Sequence, residues 1–178
     1  MIKKNNLLFL DVETTGFDPV KNEIIEIGAV LVAQTDKGLE VLEEINIKVK
    51  PERIEDADPQ ALRVNGYDAG AWIFASTLQE ALKQLSLKAK DAILVAHNVA
   101  FDYSFLNYAF QKTGIENPMH YHKLDTISIA WAKLNMKSDI DAFSLKKLCE
   151  YFGIQNPNAH TALSDARATF QVYKELMK

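Results

Sequence analysis

Residues 7–16 read Leu-Leu-Phe-Leu-Asp-Val-Glu-Thr-Thr-Gly, so a wholly apolar run passes directly into two acidic positions. A short, continuous apolar run is typical of a central strand that is buried on both faces. Because side chains two positions apart on a strand point to the same face, Asp11 and Glu13 present two carboxylates side by side. Two acids in such a place repel each other and lose hydration unless a cation lies between them. The stretch therefore predicts a site for Mg²⁺ or Mn²⁺, which prefer oxygen ligands, or else a solvated strand end that carries two unrelated acids.

The rest of the chain predicts strands first and helices afterwards. Residues 24–33 form a second apolar run, and residues 41–49 alternate, with Val41 and Ile45 on the same face. We expect these first three strands to be antiparallel neighbours. A fourth strand is predicted over residues 92–96, a short fifth strand before Asp125, and helices over residues 59–65, 76–89 (capped by Ser76), 98–114, 125–135, 145–152 (capped by Ser144) and 162–178. This order predicts one α/β domain over residues 1–178, with helices flanking a mixed central sheet of about five strands.

The composition is that of a globular protein with a modest acidic excess. Of the 178 residues, 48% are hydrophobic and 25% are charged, and the formal net charge is −4. A protein that coats long duplex DNA needs a basic face, so this charge argues against such a role. It leaves open an enzyme that grips a few nucleotides through bound cations.

The N-terminal segment and the cysteine content indicate the compartment. Residues 1–6 are followed by only four apolar residues, too few for a signal-peptide core or a membrane span. The single cysteine, Cys149, lies in an apolar helical pattern, as expected of a buried core residue. We therefore expect a cytoplasmic protein without a membrane partner.

Two further segments carry candidate functional residues. Asp102 falls in the first turn of the helix after the fourth strand, where the helix macrodipole favours an ionised carboxylate. His160 precedes the last helix, and Asp165 lies in an early turn of it. Each has a structural explanation, because Asp is common in first turns and a lone histidine is usually a surface residue. A histidine a short, fixed distance from a carboxylate is nevertheless a good candidate for a proton acceptor beside a metal.

Taken together, these segments resemble the DEDDh branch of the DnaQ-like 3′–5′ exonucleases, the family of the proofreading subunit of bacterial DNA polymerase III. The family's first motif is similar to residues 11–16 followed by 24–30, and its second motif to residues 97–102. The third is similar to His160 with Asp165 five positions on. A sister branch carries a tyrosine four positions before the final Asp, where this chain has Thr161, so the histidine branch is indicated. The resemblance covers nearly the whole chain and implies an RNase H-like fold.

The resemblance also implies a role for each candidate residue. Asp11, Glu13 and Asp165 would bind one divalent ion, Mg²⁺ or Mn²⁺. Asp11 would bridge to a second ion, which Asp102 would support directly or through water. His160 would be the general base that takes a proton from the attacking water, and the product would be a nucleoside 5′-monophosphate.

A substrate site is implied in the same way. In related enzymes, backbone groups near the positions of Thr14 and Thr15 contact the 3′-terminal nucleotide, and an apolar residue at the position of Phe17 wedges against its base. Asn98 is a further candidate, for the substrate backbone. From the residues alone, Phe17 could equally be a partly buried loop anchor and Asn98 a helix cap.

Three other polar features are not expected to bind metal or substrate. Glu26 is expected to make a structural hydrogen bond rather than bind metal. His120 and His122 form an alternating pair in a loop without an evident third ligand. Asn65 stands where polymerase-subunit relatives often have the histidine of a His-Gly pair, so that histidine contact to the nucleotide is not expected.

The predicted function is a 3′–5′ exonuclease that prefers single-stranded DNA, in proofreading or repair. The alternative with the same chemistry is an exoribonuclease that trims RNA 3′ ends, similar to RNase T or oligoribonuclease, although the second motif favours the proofreading-like subgroup over oligoribonuclease. A non-catalytic nucleic-acid-binding or polymerase-accessory module would be expected to have lost one of the five site residues, and all five are present. The tail with which the polymerase III subunit binds its polymerase does not follow Lys178, so we expect a stand-alone domain or a subunit that uses another surface.

Overall fold

The computed structural model describes residues 5–178, and residues 1–4 of the N-terminal segment considered above lie outside the described residues. The strands are Leu7–Thr14 (β1), Ile24–Thr35 (β2), Gly38–Lys48 (β3), Ile93–Ala96 (β4) and Lys123–Asp125 (β5). The α-helices are Pro59–Asn65 (α1), Leu78–Lys88 (α2), Val99–Thr113 (α3), Thr126–Leu134 (α4), Leu145–Phe152 (α5) and Ala162–Leu176 (α6).

The strands form one mixed sheet in the order β3-β2-β1-β4-β5, so β1 lies in the middle. β2 pairs antiparallel with both β1 and β3. β4 runs parallel to β1, and β5 runs parallel to β4. The predicted α/β fold, with a mixed five-stranded sheet and three antiparallel first strands, is confirmed.

β1 extends beyond its partner β4. Only Leu7–Phe9 pair with β4, whereas β1 pairs with β2 along its whole length. As the sequence predicted, Asp11 and Glu13 lie on this strand, inside β1. One edge of the strand beyond Phe9 is therefore open to a side chain from elsewhere in the fold.

Different helices cover the two faces of the sheet. Leu8 and Leu10 belong to a buried cluster that includes residues of α2 and α3. Phe9 faces the other way and packs against Phe170 and Tyr173 of α6, with ring centroids 4.9 and 5.2 Å apart. Because strand side chains alternate, the odd-numbered residues of β1 all face α6.

Most helix ends lie where the sequence predicts. Asp125 and Ser144 cap α4 and α5 through their side chains, as predicted. The cap of α2 is Thr77 rather than Ser76, because Thr77 and Glu80 form a reciprocal capping box. Of the helices within residues 5–178, none is both long enough and apolar enough to cross a bilayer.

β3 departs from the predicted alternation. Leu42 has no partner in β2, since Glu43 pairs with Leu31 and Val41 pairs with Val32. Such a bulge reverses which side chains face which layer. Ile45 consequently packs in the cluster under α2 and α3, whereas Val41 turns to the opposite face and remains 47% exposed.

Candidate active site

The centre of the site lies on the α6 face of β1. Asp11 and Glu13 follow Phe9 on that face, and both side chains are half-buried. In the β1–β2 pairing, Asp11 lies opposite Gly28 and Glu13 lies opposite Glu26. The two predicted carboxylates therefore sit where the apolar contact between β1 and α6 ends.

Gly28 allows α6 to bring a third carboxylate to this place. A Cβ atom at Gly28 would lie 2.0 Å from the backbone nitrogen of Leu163 and 2.1 Å from the carbonyl carbon of Ala162. No side chain fits in that space, so the first turn of α6 lies directly on β2. This contact places carboxylate oxygens of three residues within 4.8 Å of one another: Asp11, Glu13 and Asp165.

Asp102 approaches from the open edge of β1. It lies in the first turn of α3 and is only 2% exposed. Its Oδ1 accepts a hydrogen bond from the backbone N–H of Val12 at 3.0 Å. Asp102 stands beside the three-carboxylate group rather than within it.

Burial and the neighbouring acids raise the pKa of Asp11 and Glu13, and burial raises that of Asp102. Burial, followed by the charges of Asp102 and Glu13, raises the pKa of Asp11 well above its usual range. Burial, followed by the charge of Asp165, raises the pKa of Glu13 to about 8. Burial also raises the pKa of Asp102 to about 8, although the Val12 N–H stabilises the charged form. Without cations, Glu13 and Asp102 therefore favour their protonated forms at neutral pH.

The donor set fits a divalent cation that prefers oxygen. Each of the three clustered residues offers a carboxylate oxygen, the ligand type that Mg²⁺ and Mn²⁺ favour. The raised pKa values of Asp11 and Glu13 show that the cluster lacks compensating positive charge. Divalent ions would supply that charge and allow all three acids to ionise together.

His160 is connected to this group through Asp165. Its side chain is exposed, and its backbone is left-handed, with φ of 68°. The His160 backbone N–H donates to Asp165 Oδ2 at 3.0 Å. Asp165 Oδ1 accepts from Asn156 Nδ2 at 2.6 Å, and Ser164 Oγ donates to Asn156 Oδ1 at 2.6 Å. Sequence reasoning missed Asn156 and Ser164, since no motif or periodicity marks them.

His160 and Asp165 also line an open cavity. It measures about 600 Å³ and lies between α5 and the loop that enters α6. Cavities of this size admit small ligands. The predicted base is therefore accessible from solvent.

Phe17 offers an exposed aromatic surface that packs on α3. It is 80% exposed, so its interpretation as a partly buried loop anchor is wrong. Its ring meets that of Phe101 edge-on at a centroid distance of 6.3 Å, and Phe101 packs on the buried Phe105 at 5.0 Å. Phe101 directly precedes Asp102, so the exposed ring packs against the turn of α3 that carries Asp102.

The side chains of Thr14 and Thr15 are engaged inside the protein. Thr14 Oγ1 donates to the carbonyl of Gly16 at 2.6 Å, and Thr15 Oγ1 accepts from the backbone N–H of Glu23 at 2.8 Å. The Thr14 carbonyl accepts from Asn65 Nδ2 at 3.0 Å. Both threonines are buried, so contacts from this loop to a ligand would come from its backbone.

Asn98 is exposed and occupies a left-handed turn, with φ of 69°. Its side chain makes no capping hydrogen bond to α3, so its interpretation as a helix cap through the side chain is wrong. Its backbone N–H donates to Asp125 Oδ1 at 3.0 Å. Asn98 thus occupies the N-cap position of α3, and this bond fixes the turn that leads into the helix.

The residues interpreted as structural lie as follows. Glu26 is 4% exposed, and its Oε2 accepts the predicted structural hydrogen bond, from the backbone N–H of Ala162 at 3.4 Å. The rings of His120 and His122 stack with centroids 5.0 Å apart, and His120 Nδ1 accepts from the His122 backbone N–H. Within residues 5–178, neither histidine belongs to a group of three metal-ligating side chains.

Comparison with known proteins points to one family. The family model RNase_T, described as Exonuclease, matches residues 8–173. A DNA polymerase III PolC-type of Thermotoga maritima is 34% identical over 173 residues, which are 95% of this chain and 12% of that protein. A ribonuclease T of Shewanella denitrificans is 31% identical over 179 residues, which are 92% of this chain and 76% of that protein.

A solved structure shares the architecture. Exonuclease I of E. coli, in complex with a dT13 oligonucleotide, superposes with a TM-score of 0.78 at 19% identity. The match covers 98% of this chain and 41% of that chain. At this identity the likeness concerns the fold, and it confirms the RNase H-like α/β architecture. This chain spans only a small part of exonuclease I and of the PolC-type relatives.

Proposed function

Because this chain belongs to the exonuclease family defined by its RNase_T match, we propose that it hydrolyses single-stranded nucleic acid from the 3′ end. The product is a nucleoside 5′-monophosphate. The proposal rests on the cluster of three carboxylates, those of Asp11, Glu13 and Asp165. The backbone N–H of His160 donates a hydrogen bond to Asp165 in this cluster.

The carboxylates are proposed to hold the metal. Asp11, Glu13 and Asp165 would hold one Mg²⁺ or Mn²⁺, and Asp11 would hold a second ion together with Asp102, which would act directly or through water. When bound, two such ions stabilise the attacking and leaving oxygens of an in-line displacement at phosphorus. The burial of Asp102 and its bond to Val12 support a fixed position for this carboxylate beside β1.

His160 is proposed to take a proton from the attacking water. The water oxygen bonds to the terminal phosphorus while the bond to the 3′ oxygen of the preceding nucleotide breaks, and that oxygen takes a proton from solvent and leaves as the 3′-hydroxyl of the shortened strand. Histidine suits this task because its pKa normally lies near neutral pH. The bond between the His160 backbone and Asp165 supports the role, since it fixes the backbone that carries the imidazole relative to a proposed metal ligand.

The substrate is proposed to be gripped near the β1–α3 side of the site. Phe17 stacks against the terminal base, and the backbone around Thr14 and Thr15 contacts the terminal nucleotide. Asn98 contacts the sugar-phosphate backbone of the strand. The exposure of Phe17 and its support by Phe101 favour this arrangement.

We propose DNA as the preferred substrate, in proofreading or repair. The support is the 34% identity to a DNA polymerase III PolC-type over nearly the whole chain. Trimming of RNA 3′ ends is the second candidate, because the ribonuclease T relative matches over 76% of its own length. Discrimination between the two would rest on contacts to a 2′-hydroxyl.

Matched oligonucleotides test both proposals. Single-stranded DNA and RNA of one sequence, labelled at the 5′ end, are incubated with the protein and Mg²⁺ or Mn²⁺, with the 3′ end free or blocked. We expect a ladder that shortens from the free 3′ end of DNA, faster than that of RNA. Faster shortening of RNA would reverse the substrate assignment, and equal cleavage of blocked and free ends would overturn the exonuclease proposal.

A further inference from the structure

The catalytic end of α6 lacks a cap of its own. Thr161 occupies the N-cap position, but its hydroxyl donates to the carbonyl of Asn158 at 2.9 Å and makes no capping bond to the helix. The first N–H groups of a helix have no partner within the helix, and the macrodipole places partial positive charge there. The unpaired N–H groups of this end therefore need an acceptor from another element. The same end carries Asp165 and directly follows His160.

Glu26 of β2 supplies that acceptor. Its Oε2 accepts from the Ala162 N–H, the first residue of α6, in a 3.4 Å bond. Two positions along the same strand face, the absent side chain of Gly28 lets the backbone of Leu163 touch β2. Glu26 is also the cross-strand partner of Glu13. One buried carboxylate thus joins the metal-binding face of β1 to the helix that carries Asp165.

Charged residues lie side by side on β1, β2 and β3, and the positive charge on β3 helps to stabilise Glu26, the fifth acid of this region. Lys48 of β3 lies opposite Glu26, as Glu26 lies opposite Glu13. The Lys48 ammonium lies 3.8 Å from the centroid of the Trp72 ring and 3.5 Å from the carbonyl of Ala71. Burial raises the pKa of Glu26, and both the Ala162 N–H and the Lys48 charge oppose that rise.

The Lys48 ammonium is itself held in place. The indole N–H of Trp72 donates to the carbonyl of Ile25 at 2.8 Å, which fixes the ring beside β2. A cation above an indole face is attracted by the ring quadrupole and loses rotational freedom. The countercharge to Glu26 is therefore fixed on the same sheet as the acidic group.

We propose that Glu26 is a positioning residue for the hydrolysis reaction, which holds the first turn of α6 so that Asp165 and His160 meet Asp11 and Glu13, with Lys48 as its countercharge. This inference rests on the proposed function. A displacement of about 1 Å in a catalytic group can lower the rate by roughly 10²-fold. Glu26 therefore acts through the geometry of α6, without touching the substrate.

Four variants test the proposal: Glu26→Leu removes the acceptor and the charge, Glu26→Gln keeps an acceptor, Lys48→Met removes the countercharge, and Glu44→Gln is the matched control. Glu44 also contacts α6, through an exposed ion pair with Arg167 beyond the first turn. The readouts are Mn²⁺ affinity by calorimetry, kcat and KM on a DNA oligonucleotide, and Tm.

We expect Glu26→Leu to weaken Mn²⁺ binding and to lower kcat by roughly 10-fold or more with little change in KM, and Glu26→Gln to retain most of both. Lys48→Met should fall between them, and Glu44→Gln should match the wild type.

If Glu26→Leu does not fold, a Lys48→Met protein with wild-type Mn²⁺ affinity and kcat overturns the proposal. A Glu26→Leu protein that loses only Tm would also overturn it, since that is the result for a purely structural residue. An inactive wild type that binds Mn²⁺ would refute the proposed function, while the affinity series would still test the role of Glu26.

Discussion

The backbone N–H of Val12 donates its hydrogen bond to Oδ1 of Asp102, at 3.0 Å, where a neighbouring strand would otherwise accept it. β4 stops pairing with β1 at Phe9, so the open edge of β1 receives a carboxylate from α3. Val12 lies between Asp11 and Glu13 in sequence, and its side chain packs on the other face of the sheet, in the cluster under α2 and α3. Because β4 is short, the Val12 N–H is free to bond Asp102, and this hydrogen bond fixes Asp102 relative to Asp11 and Glu13.

Asp102→Asn should separate the charge of this residue from its hydrogen bond. The amide oxygen can still accept from Val12, while the buried ionisable carboxyl, with its raised pKa, is removed. We expect the Tm of the metal-free protein to be equal to or above that of the wild type, and the rate to fall by roughly 10–100-fold. Asp102→Ala, which leaves a buried N–H unpaired at a cost of about 1–3 kcal/mol, should lower Tm. A wild-type rate for Asp102→Asn would remove this residue from the metal site.

His160→Asn should lower kcat without loss of stability. Asn tolerates the left-handed backbone conformation at this position, φ of 68°, better than most residues, so the variant removes the base with little strain. We expect a decrease in kcat of roughly 10²–10⁴-fold, the usual range for loss of a general base. Mn²⁺ affinity, measured by calorimetry, should remain within a few-fold of the wild type because the backbone bond to Asp165 is kept. A kcat near the wild-type value would exclude His160 as the base.

Metal ions should stabilise the protein more strongly as the pH rises. The pKa of Glu13 is about 8 in the folded, metal-free protein, against 4.5 for an unperturbed glutamate. Between these values the folded state binds more protons than the unfolded state, so the free energy of unfolding of the metal-free protein decreases with pH. Mn²⁺ requires the ionised carboxylates, and at 100 times its Kd it adds about 2.7 kcal/mol.

The measurement is a thermal melt from pH 5.5 to 8.5, with and without Mn²⁺. The Tm without metal should decrease across this range, and the increase in Tm caused by Mn²⁺ should grow to roughly 5–10 °C. Asp11→Asn, which removes a proposed shared ligand, should reduce the metal-induced increase. An increase in Tm that is the same at both ends of the range would contradict the raised pKa of the cluster.

The sequence predicted the parts of the site that depend on local periodicity. Asp11 and Glu13 are recognisable because alternation on a strand and an apolar context are both local properties. The ends of α4 and α5 follow from local capping residues. The bulge at Leu42 was not predicted, although the alternation is interrupted there, since Leu42 follows the apolar Val41 and Glu43 precedes the acidic Glu44.

Contacts between distant segments explain the remaining differences. The Asn156 side chain holds Asp165, and Ser164 holds Asn156 in turn, yet neither type of residue is unusual in a loop or an early helical turn. The exposure of Phe17 depends on how its loop lies against α3, and that packing leaves no trace in a short stretch of sequence. The requirement for Gly28 arises from the backbone of α6, far along the chain.

Gly28→Ala should therefore disturb both stability and activity. A methyl group at this position would lie 2.0 Å from the Leu163 backbone nitrogen, so the first turn of α6 must move. Overpacking of this kind costs about 1–3 kcal/mol. We expect a lower Tm, weaker Mn²⁺ binding and a lower kcat, since Asp165 moves with the helix. Gly70→Ala, whose new methyl group would meet only the Asp68 side chain at 3.1 Å, is the control and should behave as the wild type. Unchanged Mn²⁺ affinity in Gly28→Ala would show that α6 can shift without moving Asp165.

Phe17→Ala should weaken substrate binding while leaving the fold and the metal site intact. The side chain is 80% exposed, so its removal uncovers little core and should change Tm by no more than about 1–2 °C. Stacking of a base on an aromatic ring contributes about 1–3 kcal/mol, so we expect KM for a single-stranded oligonucleotide to rise roughly 5–100-fold. Phe74→Ala is the matched control, because Phe74 is 96% exposed and is not among the residues of the acidic site. Binding without turnover is measured by fluorescence anisotropy of a labelled oligonucleotide in the absence of divalent ions, so that stacking is separated from hydrolysis. If Phe17→Ala and Phe74→Ala change KM equally, the exposed ring of Phe17 has no specific role beside the carboxylates, and the terminal base must be held by another part of the chain.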